Sequence, residues 1–280
     1  MIRGDTIMSE CFRYLYLHND KLKASESFKD TYLLRGTSLY EVVRIISGKA
    51  VFLCEHYSRL TKSAKKVGLE IMYSFEQLHG CIKTLVEKND CKEGNIKLVF
   101  NFDGKDMNFY AYFVQHYYPT ESQYKNGVRT LIHQAERPTP TAKVYNHKLR
   151  SKTNNLIAEA GIFEVILLNK LGNITEGSRS NLFFIKDNAL YTSPDNEVLN
   201  GIVRSKVLKI ADQLGIPVHY RSISYDEIPQ YEAAFLTGTS PMVLPINRIN
   251  SISFSVDHQL LFDIFDAYGK MVQENLIKNS

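Results

Sequence analysis

The chain has 280 residues, of which 44% are hydrophobic and 23% are charged, and these values exclude wholesale disorder. Its 34 basic and 30 acidic side chains give a formal net charge of +4. The basic residues are scattered, so no basic patch indicates a nucleic-acid partner. No apolar run approaches the roughly 18 to 20 residues of a membrane span, and the N-terminus lacks the apolar core of a signal peptide. The four cysteines stand apart without metal-binding spacing, so we expect a reduced cytoplasmic protein that holds no metal.

The first part of the chain alternates strand patterns with two amphipathic helices. One helix is predicted over about 55–67 and a second over 75–88, where Ser74 and Gln77 have the spacing of a capping box. Asp103 and Gly104 form the predicted turn of a hairpin. The predicted strands cover 10–17, 38–46, 50–53, 95–102 and 108–116.

A polar stretch near 118–126 marks the expected boundary between two domains, 1–119 and 120–280. In the second domain we predict strands over 127–135, 163–168 and 233–237, a hairpin over 181–192, and helices over 145–160, 203–214 and 260–275. Both parts combine strands with helices. The sequence therefore predicts an α+β fold of two domains, with a cleft between them as the expected place for a ligand.

The segment 173–183 carries the most unusual chemistry, because Glu176 stands among small polar residues between two apolar strands. Taken alone, this pattern is also typical of a turn carboxylate that caps nearby backbone groups. Four other motifs change the interpretation. They are Glu55-His56-Tyr57-Ser58-Arg59-Leu60, Lys143-Val144-Tyr145-Asn146, Gly201-Ile202-Val203-Arg204 and Leu236-Thr237-Gly238-Thr239-Ser240.

In this order and at these intervals, the motifs resemble the class IV aminotransferases, from about residue 34 to residue 250. These fold-type-IV enzymes depend on pyridoxal 5′-phosphate (PLP). They include branched-chain and D-amino-acid aminotransferases and aminodeoxychorismate lyase. The resemblance implies a small N-terminal α/β sandwich domain, a larger C-terminal pseudo-barrel domain that binds PLP, and a homodimer.

The resemblance assigns the Schiff-base lysine to Lys143 rather than to Lys152, which also begins a K-x-x-N pattern. In the family this lysine ends a strand just before a helix, whereas Lys152 falls inside the predicted helix. Lys143 also lies 21 residues before Glu164, which matches the family's spacing. Glu176 takes the place of the family's carboxylate that pairs with the pyridine nitrogen and raises the pKa of that nitrogen.

The resemblance also implies a set of phosphate contacts. Arg59 is the expected phosphate arginine, because its planar guanidinium can bind two oxygens at once. Ile202 and Val203 would offer backbone N–H groups at the start of a helix. Many relatives have threonine where this chain has Val203, so only the backbone contact carries over. Gly238 and Thr239 complete the implied set.

The substrate side matches the family less fully. Ser240 is implied to offer its backbone N–H to the substrate α-carboxylate, and Tyr40 to hold a carboxylate through its hydroxyl or to be a core tyrosine. Lys97 stands where branched-chain enzymes have an arginine that receives a second carboxylate, and it also fits a plain strand-face lysine. His147 follows Asn146 where those enzymes have a tyrosine near the cofactor, and whether it contacts the cofactor is left open.

The resemblance therefore implies an aminotransferase that moves an amino group between an amino acid and a 2-keto acid. An aminodeoxychorismate lyase, which eliminates pyruvate, is the second hypothesis. Glu41 or Val42 stands where the Escherichia-type lyase has threonine, which weighs against a lyase of that type. No Arg-x-His pair follows the predicted hairpin, which weighs against a strictly D-specific enzyme. A non-catalytic binding protein on the same scaffold is a third hypothesis.

Overall fold

Two units, Met1–His116 and Tyr117–Ser280, make up the chain in the computed structural model, which describes residues 9–278. Each unit combines a β-sheet with helices, so the expected two-part α+β fold is confirmed. Within residues 9–278, no helix combines the length and the apolar character that crossing a membrane requires.

The N-terminal unit is built on one antiparallel sheet. Its strands are Leu15–His18 (β1), Lys21–Ala24 (β2), Thr37–Ile46 (β3), Lys49–Ala50 (β4), Gly94–Asp103 (β5) and Asp106–Val114 (β6). Over the described residues the strand order is β2-β1-β6-β5-β3-β4. The two α-helices among its described residues are Leu53–Lys66 (α1) and Phe75–Lys88 (α2), and the expected capping box of Ser74 and Gln77 is confirmed at the start of α2.

The two faces of this sheet differ in chemistry. Because directly paired residues share a face, the register places mostly apolar side chains on the face that packs against α1. These are Leu39, Val43, Ile45, Ile96, Leu98, Phe100, Phe109, Ala111 and Phe113, with Glu41 among them. The opposite face carries polar and aromatic side chains, including Tyr40, Asn95, Lys97, Asn101, Tyr110 and Tyr112.

The first strand differs from the expectation of 10–17. The chain turns back at Asn19, which adopts a positive φ of 51°, and β1 therefore forms a short hairpin with β2. Asparagine tolerates this left-handed conformation better than most residues. Of the preceding residues, Cys11 forms an isolated bridge with Val114.

The C-terminal unit contains a mixed sheet and four α-helices in the residues described. Its strands are Val128–Gln134 (β7), Glu164–Leu168 (β8), Asn173–Gly177 (β9), Asn181–Lys186 (β10), Ala189–Thr192 (β11), Val218–Tyr220 (β12), Ile223–Ser224 (β13), Ala233–Gly238 (β14), Met242–Ile249 (β15) and Ile252–Ser253 (β16). Its helices are Glu121–Asn126 (α3), His147–Ala160 (α4), Ile202–Leu214 (α5) and Gln259–Lys278 (α6).

The sheet order of the C-terminal unit positions the polar motifs. The order is β12-β11-β10-β14-β15-β7-β8-β9-β13, with β16 beside β15. Strands β7 and β8 are parallel neighbours, so α4 and the connector before it form the crossover between them. Strands β10 and β14 pair with Asn181 opposite Thr237, which brings the segment after β9 beside the end of β14.

Helix α3 was not predicted from the sequence and lies in the polar stretch near the expected domain boundary. Thr120 accepts a hydrogen bond from the backbone of Gln123, and the Gln123 side chain accepts one from the Thr120 backbone. This capping box has the same spacing as Ser74 and Gln77 and was therefore readable from the sequence.

Candidate active site

Glu176 lies on strand β9, and the alternative of an ordinary turn carboxylate is wrong. Its side chain is buried, and each oxygen has at least one donor. Arg137 Nε donates to Oε1 at 2.7 Å, while Asn181 Nδ2 and the backbone N–H of Leu199 donate to Oε2 at 3.1 and 3.2 Å. A buried carboxylate with this many donors is held in one orientation.

Burial raises the pKa of Glu176 above its ordinary value. The Arg137 guanidinium, the Leu199 N–H group and the charge of Lys143 each act in the opposite direction. Lys143 therefore lies close enough to Glu176 to affect its ionisation. Lys143 belongs to the connector between β7 and α4. The expectation that this lysine ends a strand is therefore wrong.

Lys152, the alternative lysine, is exposed on α4. Asn146 is the N-cap of that helix, and its side chain accepts a hydrogen bond from the Leu149 backbone at 3.0 Å. His147 is the first residue of α4 and is exposed, with its ring 6.4 Å from that of Tyr145. Asn146, the last residue of the K-x-x-N pattern, therefore caps the start of α4.

The role of Arg137 was not predicted from the sequence. Its Nη2 donates to the Ser178 carbonyl at 2.7 Å while its Nε binds Glu176, so one side chain joins the connector to both Glu176 and the residue that follows its strand. The pair borders a cavity of about 210 Å³. An arginine just before Pro138, in a connector that also holds Lys143, was the available signal.

Glu164 organises the turn that follows Glu176. This buried carboxylate accepts hydrogen bonds from Ser178 Oγ at 2.6 Å, Ser180 Oγ at 3.1 Å and the Arg179 backbone at 3.2 Å. The serines of the motif therefore fix the backbone between β9 and β10. Because that backbone carries Glu176 and Asn181 at its two ends, Glu164 holds both in place.

Helix α5 begins at Ile202 with no side-chain cap, and its N-cap is Gly201. Ile202, Val203 and Arg204 are all buried, so the N–H groups of this first turn need a partner other than bulk water. A Cβ atom at Gly201 would lie 2.0 Å from Asn181 Oδ1, so only glycine allows Asn181 to approach. Asn181 thereby connects Glu176 to the start of α5.

Gly238 ends strand β14, and Thr239 and Ser240 form the turn toward β15. The preceding residue, Thr237, is buried and pairs with Asn181 across the sheet. Its Oγ1 atom has no hydrogen-bond partner. A buried hydroxyl without a partner is uncommon in folded proteins. The structure thus brings Lys143, Glu176, the α5 start and the β14 turn into one region of the C-terminal unit.

In the N-terminal unit, Arg59 lies on α1 and contacts Glu41 on the apolar face of the sheet. Its Nε and Nη2 atoms donate to the two Glu41 oxygens at 2.7 and 2.6 Å, and His56 Nδ1 lies 2.7 Å from Oε2. The sequence had singled out Glu41 only as one of two positions where the Escherichia-type lyase has threonine. Glu41, His56 and Arg59 therefore form one buried polar cluster.

Tyr40 and Lys97 lie on the opposite, polar face of the same sheet. Tyr40 is buried, and Lys97 Nζ stands 5.3 Å from its ring centroid. Lys97 is only 5% exposed and forms an ion pair with Glu10. It is therefore not a solvent-facing strand lysine.

Comparison with known proteins identifies the family. Residues 38–249 match the family model for amino-transferase class IV. The chain belongs to the class IV aminotransferases. A D-alanine aminotransferase from Bacillus licheniformis is 30% identical to this aminotransferase over 231 residues, which cover 77% of this chain and 80% of the relative.

Two solved structures show the same fold. The branched-chain aminotransferase of the archaeon Thermoproteus uzoniensis, solved with norvaline, has a TM-score of 0.82 and 26% identity, with 96% of this chain and 97% of that one covered. The T.th. branched-chain aminotransferase, complexed with N-(5′-phosphopyridoxyl)-L-glutamate, has a TM-score of 0.81 and 23% identity, with 95% and 96% covered. These neighbours confirm fold type IV.

Class IV aminotransferases depend on PLP, and the donor set described above fits that group. The buried, uncapped start of α5 suits a phosphate, because helix N-termini favour anions. The Thr237 hydroxyl is a further buried group in need of a partner. Glu176 supplies a buried carboxylate and Lys143 an amine near it.

Proposed function

We propose that this class IV aminotransferase uses PLP to transfer an amino group between an amino acid and a 2-keto acid. The observation that carries the proposal is the buried Glu176 carboxylate, fixed by Arg137 and Asn181 and near the charge of Lys143. A carboxylate desolvated in this way is suited to stabilise a positive charge on a ring nitrogen.

Each of the other cofactor contacts has a physical basis in the chain. Ile202 and Val203 would hold the phosphate through backbone N–H groups at the α5 start, where the helix dipole favours an anion. Gly238 and Thr239 would add contacts from the β14 turn. Arg59 would add its guanidinium, which Glu41 fixes through Nε and Nη2.

PLP, when bound, supplies an aldehyde that condenses with amines and a ring that accepts an electron pair. Lys143 would hold the cofactor covalently through its Nζ atom. When it is not bonded to the cofactor, the Lys143 Nζ would take the proton from the substrate α-carbon as a general base and deliver it, as a general acid, to the cofactor carbon that bore the aldehyde. Glu176 would keep the ring nitrogen protonated throughout.

On the substrate side, we propose that the Ser240 backbone N–H receives the α-carboxylate and that Tyr40 and Lys97 border the side chain. His147 stays a candidate for a cofactor or substrate contact, although it is exposed in the structure. The ligands of the two solved relatives, norvaline and a glutamate adduct, define two side-chain classes that such an enzyme could take: uncharged and acidic.

The decisive experiment is a visible absorbance spectrum of the purified protein before and after borohydride reduction, followed by mass mapping of the modified peptide. We expect a yellow protein and a reduced adduct on Lys143. An adduct on Lys152 would reject the choice of Lys143 but would leave the rest of the proposal unchanged. A colourless protein that stays colourless after addition of PLP would reject the enzyme and favour a non-catalytic scaffold.

A lyase would share every proposed cofactor contact and differ only in the fate of the carbanion. Pyruvate release from aminodeoxychorismate without a keto-acid acceptor would therefore identify the lyase. Amino transfer that requires both a donor and an acceptor would identify the aminotransferase. A screen of D- and L-amino acids with several keto acids then gives the stereochemistry.

We also propose that the protein acts in the cytoplasm, which rests on the separated cysteines, and as a homodimer, which rests on the family resemblance. Sedimentation equilibrium of the purified protein at several concentrations tests the oligomeric state. A mass near the 32.1 kDa of one chain at all concentrations would reject the dimer.

A further inference from the structure

The polar face of the N-terminal sheet contains a buried lysine beside a tyrosine hydroxyl. Lys97 on β5 pairs directly with Tyr112 on β6, so their side chains point to the same face. Tyr112 is fully buried and Lys97 nearly so. A buried ammonium needs a counter-charge, because burial otherwise disfavours its charged form.

That counter-charge comes from Glu10, in the segment before β1. Lys97 Nζ donates to Glu10 Oε2 at 2.5 Å, and the Tyr112 hydroxyl donates to the same oxygen at 3.0 Å. The carboxylate thus sits where two buried donors converge. Its own side chain is about one-third exposed, so this position is also reachable from solvent.

The backbone around Glu10 is anchored, which makes the carboxylate a fixed part of the face. Its N–H donates to Asp30 Oδ1 at 3.0 Å, and the next residue, Cys11, bridges to Val114 of β6. Phe12 continues this attachment by donating its N–H to the Phe113 carbonyl at 2.8 Å. These contacts hold the Glu10 backbone beside β6, within reach of Lys97 and Tyr112.

The charges of this cluster disfavour another anion. Glu10 neutralises Lys97, and Asp30 places a second carboxyl group next to Glu10. Burial raises the pKa of Asp30, the charge of Glu10 raises it further, and Lys97 lowers it. A carboxylate that approached Lys97 would meet at least one carboxylate already in contact with the ammonium, and like charges at short range are strongly unfavourable.

We propose that Glu10 determines substrate class by excluding a second carboxylate, so that the enzyme takes amino acids with uncharged side chains in preference to glutamate and aspartate. The proposal rests on the proposed function, which puts the substrate side chain near Tyr40 and Lys97. It gives Glu10 the role of a built-in carboxylate that occupies the position an acidic side chain would need.

The first test compares kcat/KM for norvaline and for glutamate in the wild-type enzyme, with the better enantiomer of each. We expect norvaline to be preferred, and a wild-type preference for glutamate would overturn the proposal without any variant. In Glu10→Gln, which keeps the size and an acceptor oxygen, the ratio of glutamate to norvaline should rise roughly tenfold or more. An unchanged ratio in a folded Glu10→Gln protein would also overturn it.

Two further variants separate this role from a general change in charge. Glu26→Gln makes the same charge change at an exposed position just after β2 and should leave the ratio unchanged. Adding Lys97→Met to Glu10→Gln should abolish the gain for glutamate. If Glu26→Gln raises the ratio as much as Glu10→Gln does, the effect is long-range electrostatics and the proposal is wrong.

Binding of glutarate provides a readout that does not depend on turnover. Calorimetry should detect glutarate binding to Glu10→Gln at concentrations where the wild-type protein shows none. If no variant transfers amino groups from any donor, the proposed function fails, and the glutarate measurement still decides whether Glu10 excludes carboxylates. Equal glutarate binding by both proteins would reject the exclusion while leaving the aminotransferase proposal untouched.

Discussion

Arg59 and Glu41 form a two-point ion pair inside the N-terminal unit, with Nε and Nη2 of the guanidinium 2.7 and 2.6 Å from the two carboxylate oxygens. The glutamate has no solvent exposure. Such a pair fixes the plane of the guanidinium, because both parallel hydrogen bonds must be kept. An arginine proposed to receive a phosphate is thereby oriented before the phosphate arrives, which lowers the entropy lost on binding.

The Glu41 cluster makes stability depend on acidity. Burial raises the pKa of Glu41, but Arg59 and His56 outweigh that effect and lower the pKa to about 2 from an ordinary value near 4.5. As pH falls, Glu41 therefore takes up a proton at a higher pH in the unfolded state than in the folded state. The contribution of Glu41, about 3 kcal/mol, is fully present above about pH 4.5 and is lost as pH falls toward 2.

Urea unfolding of wild type and Glu41→Gln at a series of pH values checks this expectation. The variant should be less stable at pH 7 by about 3 kcal/mol, and the difference should shrink between pH 4.5 and 2. Glu87→Gln, on the exposed side of α2, is the matched control and should behave as wild type. A constant difference at every pH would show that the charge of Glu41 is not responsible.

The periodicity of apolar residues was enough to predict elements whose signals lie within one short segment. Helix α2 occupies the expected 75–88, because its apolar stripe and its capping box both lie within one short segment. Strand β9 was missed, because Asn173–Gly177 carries a charged side chain and small residues where a strand usually shows apolar alternation. Its strand conformation is determined by pairing with β8 and β13, which are distant from one another in sequence.

The sequence placed the candidate motifs in order but could not show how they are held. Arg137 reaches Glu176 from 39 residues away, and Glu10 reaches Lys97 from 87 residues away. Neither partner belongs to a recognisable short motif, so only tertiary structure reveals the contacts. The contacts give Glu176 and Lys97 charged partners that were not predicted from the sequence.

Replacing Lys143 with alanine tests the proposed catalytic amine. We expect turnover to be abolished and the borohydride-stable adduct to disappear, because no other amine is expected at the same position. Lys152→Ala is the control, since Lys152 is exposed on α4, and it should keep wild-type activity. Normal turnover in Lys143→Ala would transfer the assignment to Lys152.

Replacing Glu176 with glutamine tests the ring-nitrogen role. The amide keeps the shape of the side chain but removes its charge, so PLP should still bind while kcat falls by a factor on the order of a hundred or more. Equilibrium dialysis and a steady-state assay separate the two effects. Glu159→Gln, exposed on α4, should change neither quantity, and full activity in Glu176→Gln would reject the role.

Replacing Gly201 with alanine tests the close approach of Asn181 to the α5 start. The new Cβ atom would lie 2.0 Å from Asn181 Oδ1, so the asparagine must move and its hydrogen bonds to Glu176 and the Leu199 carbonyl must weaken. We expect a loss of about 1–3 kcal/mol in stability and weaker PLP binding. Gly80→Ala is the control, because Gly80 lies inside α2 with open space around it, and alanine there should stabilise by up to about 1 kcal/mol. Thermal unfolding with and without PLP measures both effects, and a Gly201→Ala protein with unchanged stability and PLP affinity would show that Asn181 does not organise the site.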